Sequence, residues 1–254
     1  MKLNRFQAFA AHLLGSALVA LTSAALVFLL WYPAPLAMAT GVTDIFLILL
    51  AVDVVVGPCI TLIIFRPDKK PLKELRRDLS IVLVLQLAAL SYGLHTVFIA
   101  RPVYAVYNAG RFDLVYANDL DEHKLKQARH PEFQSLPLLG PKIIAARSPT
   151  DAKQRRDILM GSLSGGDDLP QMPQHYVPYA DEQPNAVKRI QPIDALRSLN
   201  KDAAGPLDEL VRKYAARKGG IGYLPLRAKV KDVSVIVALD TAEVLEIAPL
   251  NPWP

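Results

Sequence analysis

The chain has 254 residues, 52% of them hydrophobic and 21% charged, with a mean hydropathy of +0.22. A soluble domain is about 45–50% apolar, and the excess here sits at the front: residues 1–100 hold 13 charged side chains and residues 101–254 hold the other 40. That split excludes a single water-soluble domain and a disordered chain, the lone cysteine, Cys59, excludes a disulfide scaffold, and the net charge of +5, spread over both halves, is no nucleic-acid footprint.

Three stretches in the first hundred residues reach the roughly 20 apolar residues that a helix needs to cross a bilayer: Ala8–Tyr32, Ile45–Phe65 and Leu79–Ala100. The first carries His12, the second Asp53 and Pro58, the third Gln86, Tyr92 and His95. Lys2 and Arg5 before the first stretch and Ala37-Met38-Ala39 after it have the form of a cleaved signal peptide. A signal-peptide core is only about 7–15 residues long, so the first span is expected to stay.

Positive charge near span ends is held on the cytoplasmic side. The loop Pro33–Asp44 has no Lys or Arg, whereas Arg66–Asp78 has six. The N-terminus is therefore expected inside and everything after Ala100 outside, which in a bacterium is the periplasm. Trp31 and Tyr32 close the first span at the outer interface, where such rings are favoured.

A carboxylate deep in a bilayer costs at least ~2.5–3.5 kcal/mol unless it is paired, protonated or wet. Asp53 should therefore face the bundle and find a partner. Counted from the outer span ends, Tyr92 lies at the depth of Asp53 and His95 one turn shallower, so a hydrogen bond from Asp53 to one of them is expected. Gly57-Pro58 follows one turn later. Proline lacks a donor and its ring clashes with the preceding turn, so a kink is expected there. Asp53, Gly57, Pro58, Tyr92 and His95 thus form a candidate for intramembrane packing or for docking another membrane helix.

Beyond Ala100 the pattern changes: 15 of the 20 prolines fall in residues 101–254. Val103–Tyr107 and Phe112–Ala117 flank Asn108-Ala109-Gly110-Arg111, a hairpin signature. Asp119–His130 reads as a polar helix stopped by Pro131, and Lys142–Arg147 as a strand. Ser148-Pro149 would cap a helix running to about Leu163. Asp167–Pro192, with five prolines, reads as a long loop pinned by Tyr176 and Tyr179. Helices over Pro192–Asn200 and Pro206–Lys218 precede three strands, Gly222–Lys229, Val233–Leu239 and Glu243–Ile247. The expected architecture is a membrane-anchored α+β protein: a three-helix transmembrane domain over residues 1–100, then a periplasmic domain over 101–254 with an antiparallel sheet and several short helices.

Constellations for catalysis are missing. His123, His130 and His175 lack the spacing of a zinc site. Gly161-Ser162-Leu163-Ser164-Gly165-Gly166 has no following Lys and no preceding strand, so it is no phosphate loop. Ser198-Leu199-Asn200-Lys201 has the Ser-x-x-Lys form of acyl-transferring enzymes without their companion motifs. Asp53 and Asp44, on one helix, stand too far apart to share a proton as a protease pair does. No cofactor or metal site is expected.

Several segments together carry a resemblance: Asp53-Val-Val-Val-Gly-Pro-Cys-Ile-Thr-Leu-Ile-Ile-Phe65, Leu85-Gln-Leu-Ala-Ala-Leu-Ser-Tyr-Gly93, Arg101-Pro-Val-Tyr104, Arg111-Phe112, Val115-Tyr-Ala117, Gly166-Asp-Asp-Leu-Pro170, the tyrosines around Val177-Pro178, Tyr223-Leu-Pro-Leu226 and Pro249-Leu-Asn-Pro-Trp253. In order and spacing they resemble the type IV pilin accessory protein family of Gram-negative bacteria, over nearly the whole chain. Two turns depart from that pattern: Gly110 stands where an acidic residue often precedes Arg-Phe, and Ala242 where the last hairpin often has Gly. The resemblance implies a non-enzymatic inner-membrane protein that assists its cognate pilin, with the pilin subunit, other pilus assembly proteins and the lipid bilayer as partners. The pilin helix would pack near Asp53, Gly57 and Pro58, and its head against a periplasmic surface for which Tyr104, Arg111, Phe112, Tyr176 and Tyr179 are the candidates. The competing class is a membrane-anchored periplasmic ligand-binding sensor, which would need a larger cytoplasmic part for signalling than Arg66–Asp78 offers.

Overall fold

The structure, a computed structural model, describes residues 4–254; Lys2, used above for orientation, lies outside them. The chain divides into two compact units, one of residues 1–33 and 42–99, the other of residues 34–41 and 100–254.

In the first unit, three helices are long and apolar enough to cross a membrane: Arg5–Trp31, Val42–Ile64 and Leu72–Ile99. The first starts on a capping box, in which Asn4 Oδ1 accepts from the Gln7 amide and Gln7 Oε1 from the Asn4 amide. Leu14, Leu18, Leu21, Ile48, Ile63, Val84 and Leu85 point outward and are exposed. Such a continuous apolar surface suits lipid rather than water. Two segments widen from α to π geometry, Leu26–Trp31 and Val52–Val56. The second lies immediately before Gly57-Pro58, where the proline cannot continue an α ladder. Small residues bring the second and third spans close. A Cβ on Gly93 would collide with the Leu49 side chain, and one on Gly57 with the Gln86 amide. The Tyr32 hydroxyl donates to the Val97 carbonyl at 2.8 Å, joining the C-terminal ends of the first and third spans.

The second unit is built on a sheet of eight strands: β1 Pro102–Asn108, β2 Arg111–Tyr116, β3 Lys142–Ala146, β4 Tyr176–Pro178, β5 Gln191–Pro192, β6 Ile221–Arg227, β7 Val233–Ala238 and β8 Val244–Ala248. Their order is β4-β3-β1-β2-β6-β7-β8, with β5 paired to β6. The β1–β2 and β6–β7–β8 hairpins form as expected. Ala109 and Gly110 both take positive φ, 50° and 101°, as a tight two-residue hairpin turn requires.

The sheet is mixed rather than wholly antiparallel, because β1 pairs β3 and β2 pairs β6 in parallel. Parallel neighbours need connections of a dozen residues or more, and the stretches between β2 and β3 and between β2 and β6 supply them. The expected helix over Asp119–His130 shrinks to one turn, Glu122–Leu125, capped by Asp121. The next helix is Ala152–Leu163, capped by Asp151 and not by Ser148. Within the long loop, Tyr176 and Tyr179 do act as pins: their hydroxyls donate to the carbonyls of Pro170 at 2.6 Å and Ala242 at 2.8 Å. The loop also contributes an edge strand, β4, beside β3.

The connection between the first two spans folds into a short helix, Leu36–Thr40, and Leu36 and Ala39 enter the core that also contains Tyr107, Phe112, Leu224 and Val235. The Ala39 carbonyl accepts from the amides of Val230 and Lys231 at 3.1 and 3.0 Å.

Candidate functional site

Within the membrane unit, polar side chains from all three spans converge on one cavity of about 310 Å³. His12, Gly15, Ser16, Val19 and Ala20 line it from the first span, Asp53 from the second, and Leu83, Gln86, Leu87 and Leu90 from the third. The backbone explains why Gln86 is there. A π turn pairs each carbonyl with the amide five residues on, and for Asp53 that position is Pro58, which has no N–H. Gln86 Nε2 supplies the missing donor, at 3.0 Å from the Asp53 carbonyl. His12 Nδ1 and Thr61 Oγ1 share a hydrogen bond of 2.6 Å that ties the first span to the second.

These bonds leave groups over. Gln86 Oε1 and His12 Nε2 are buried without a partner. Asp53 is 8% exposed, and among the described residues its carboxyl group makes neither an ion pair nor a hydrogen bond.

The expected partners do not reach it. Tyr92 stands on the outer face of its helix, 75% exposed, and His95 is exposed as well. The second span begins at Val42, three residues before the expected start, which places Asp53 deeper. The contacts of Leu49 with Gly93 and of Gln86 with Gly57 then set an antiparallel register in which Leu90, not Tyr92, is level with Asp53. Gly57 and Pro58 are not among the residues that line the cavity. They are buried in the helix that follows the π turn, where Gly57 admits Gln86 and Pro58 withholds the amide that Gln86 replaces.

The chain matches the model of the family described as fimbrial assembly protein FimB over residues 2–41, a stretch that holds one wall of the cavity and the docked helix Leu36–Thr40. It is 31% identical to the fimbrial assembly protein of serogroup E1 from Dichelobacter nodosus, over 85% of this chain and 83% of that one. The chain belongs to the fimbrial assembly protein family. The serogroup I protein of the same organism is 33% identical over 72% of this chain and 70% of its own length, and the protein of serogroups C1 and C2 is 35% identical over 46% and 88%. No solved structure matches the chain.

The contact surface expected on the second unit of this fimbrial assembly protein needs correction. Tyr104, Phe112, Tyr176 and Tyr179 are buried. Tyr104 and Tyr176 pack edge to face with each other and with Phe133, while Phe112 and Tyr179 pack with Tyr107. For Tyr104 and Phe112 the cause is the position of β1 and β2 inside the sheet with both faces covered, which leaves their side chains no outward side; Tyr176 and Tyr179 are held in by their bonds to the Pro170 and Ala242 carbonyls. Burial pushes the Tyr104 and Tyr116 hydroxyls up to about 12, so both stay neutral and structural. Arg111 alone of the five is partly exposed, and it is held by Asp113 at 3.1 Å.

Asp113 also pairs with Arg227 at 2.7 Å, across the parallel β2–β6 contact where the two residues are in register. Among the described residues no group of three or more His, Cys, Asp or Glu side chains could hold a metal. The Ser198 hydroxyl donates to the Ala195 carbonyl at 2.8 Å, as an ordinary helix serine does.

Proposed function

We propose that this fimbrial assembly protein is a non-enzymatic helper of its cognate type IV pilin, which it receives through the polar cavity of its membrane unit and keeps ready for the fibre. The observation that carries the reading is the unpartnered carboxyl group of Asp53 beside Gln86 Oε1 and His12 Nε2, behind a wall of small residues. Polar groups left over in hydrocarbon favour a partner helix that can complete them, and Gly15, Ser16 and Ala20 let a helix backbone come close. Family membership supports the pilus context. The six-to-zero asymmetry of loop charge supports a cytoplasmic N-terminus and a periplasmic outer unit in the inner membrane.

A photo-crosslinking amino acid at Val19 or Leu87, both lining the cavity, should trap pilin in membranes that contain it, whereas the same probe at the lipid-facing Ile81 should not. Gly15 has open space where a side chain would stand, so Gly15→Leu should leave the protein's level unchanged and suppress the adduct at Leu87. Equal trapping from Ile81, or none from either cavity position, would overturn the assignment.

A further inference from the structure

In the outer unit, several exposed apolar side chains gather at one end of the sheet, the end where the chain meets the membrane spans. Only Ala100 and Arg101 separate the end of the third span at Ile99 from the start of β1 at Pro102, three Cα steps of at most ~11 Å. Arg101 is buried, and its Nη2 donates to the Pro137 carbonyl at 3.0 Å. The next two residues, Leu138 and Leu139, are 69% and 59% exposed. Nearby, Lys142 opens β3 opposite Tyr104 of β1, so this loop is fixed beside the start of β1.

The same end holds Val230, which is 67% exposed. Its neighbour Lys229 donates through its amide to the hydroxyl of Tyr116 at 3.1 Å, and Tyr116 pairs with Pro102. Val230 also abuts Gly41, the residue before the second span. Lys142 and Lys231 are exposed and form no ion pair among the described residues, while Asp232 is turned to the Ala228 amide and the Trp253 indole.

We propose that Leu138, Leu139 and Val230 are a lipid footprint: they enter the interfacial layer of the bilayer that the spans cross, with Lys142 and Lys231 set against its phosphate groups. The occupant follows from the chain itself, since an end of the unit tethered by two residues has a bilayer within reach before any other partner. Apolar side chains flanked by lysines are the chemistry of interfacial anchoring. The footprint depends on the helices crossing the bilayer and is independent of pilin binding.

The test uses the full chain with Cys59→Ser and single cysteines at Leu139, at Val230 and at Ala109, each labelled with bimane. Ala109 is exposed at the opposite end of β1, which is seven residues long, or about 23 Å at strand rise. In vesicles of phosphatidylethanolamine and phosphatidylglycerol with brominated acyl chains, the labels at 139 and 230 should lose most of their fluorescence and the label at 109 should keep it. Quenching of 139 and 230 by aqueous iodide instead, shielding from both quenchers (a protein cover), or bromine quenching at 109 as well would each overturn the footprint. Because all three side chains are exposed, the labels should leave the fold intact, and unchanged urea unfolding of each labelled variant checks this.

Discussion

Replacing Leu36 by alanine should unfasten the short helix Leu36–Thr40 from the core of the second unit. Leu36 is 2% exposed in the core beside Tyr107 and Leu224. Truncating a leucine so placed costs about 2–5 kcal/mol, the upper part of the range applying where neighbours do not collapse into the gap. Sheet residues such as Leu224 and Val235 are held on both sides by β-ladders, which limits collapse. The five-residue helix carrying Leu36 is the mobile party and should detach. Detachment would also release the amides of Val230 and Lys231 from the Ala39 carbonyl, where they become solvated, adding about 0.5–1.5 kcal/mol per bond at most. The assay is pulse proteolysis of the full chain in detergent across a urea series, with hydrogen exchange followed on the peptide spanning residues 229–232. Leu36→Ala should lower the unfolding free energy by about 2–5 kcal/mol and speed exchange in that peptide, while Met38→Ala, at a half-exposed position of the same helix, should change stability by less than about 0.5 kcal/mol. A Leu36→Ala protein as stable as the parent, with exchange at 229–232 unchanged, would refute the docking argument.

Two further outcomes follow from the second unit. Ala109→Asn should stabilise it by about 0.5–1 kcal/mol in the same urea assay, because asparagine tolerates the left-handed conformation that Ala109 adopts at φ 50°; a loss of stability would contradict the turn geometry. Burial holds the Asp113 carboxyl above its usual value against the opposing pull of Arg111 and Arg227, so the folded chain takes up this proton at a higher pH than the unfolded one. Its contribution to stability therefore grows as pH falls through the folded pKa and is complete below about 4, the unfolded value. Unfolding measured from pH 7 to pH 4 should show the parent gaining stability relative to Asp113→Asn, and a relative loss on acidification would sink the assignment.

Local sequence carried much of this architecture. Three runs of some 20 apolar residues pointed to three helices of span length, and Asn108-Ala109-Gly110-Arg111 between β-branched and aromatic runs pointed to the β1–β2 hairpin. What depended on distant partners was not legible. The parallel pairing of β1 with β3 joins Tyr104 to Lys142 across β2 and the stretch that follows it, a long-range pairing that no local pattern encodes. Leu36 and Ala39 read as two more apolar residues next to a span, and nothing local marks them as core of the second unit. Conversely, Tyr104, Phe112 and Tyr176 have a polar hydroxyl or a strand-end position that is equally compatible with surface and core, and only the covering of both sheet faces decides. In the membrane unit, the polar residues His12, Asp53, Thr61 and Gln86 were all visible as exceptions in apolar runs. Their pairing was not, since it depends on a start shifted to Val42 and on a π turn that rotates everything after it.

That turn also separates two roles that a buried acid can have. If Asp53 were present to join helices, its carboxyl group would be bonded to a neighbouring span. Instead the joining is done by its main chain: Pro58 leaves the Asp53 carbonyl without an amide, and Gln86 Nε2 fills the vacancy at 3.0 Å. Thr61 and His12 make the second tie. With both helix contacts secured by other atoms, the carboxyl group adds nothing to the packing of the three spans and its burial only costs them stability. A group retained at such a cost argues for a ligand that arrives later, and a cavity bordered by Gly15, Ser16 and Ala20 on the side facing it is where a helix with a hydrogen-bond donor would fit. Asp53→Asn offers the sharper discrimination: with the main-chain bond untouched it should leave the span assembly at least as stable as before and weaken the proposed capture of pilin, whereas a residue that held the helices together would lose stability first.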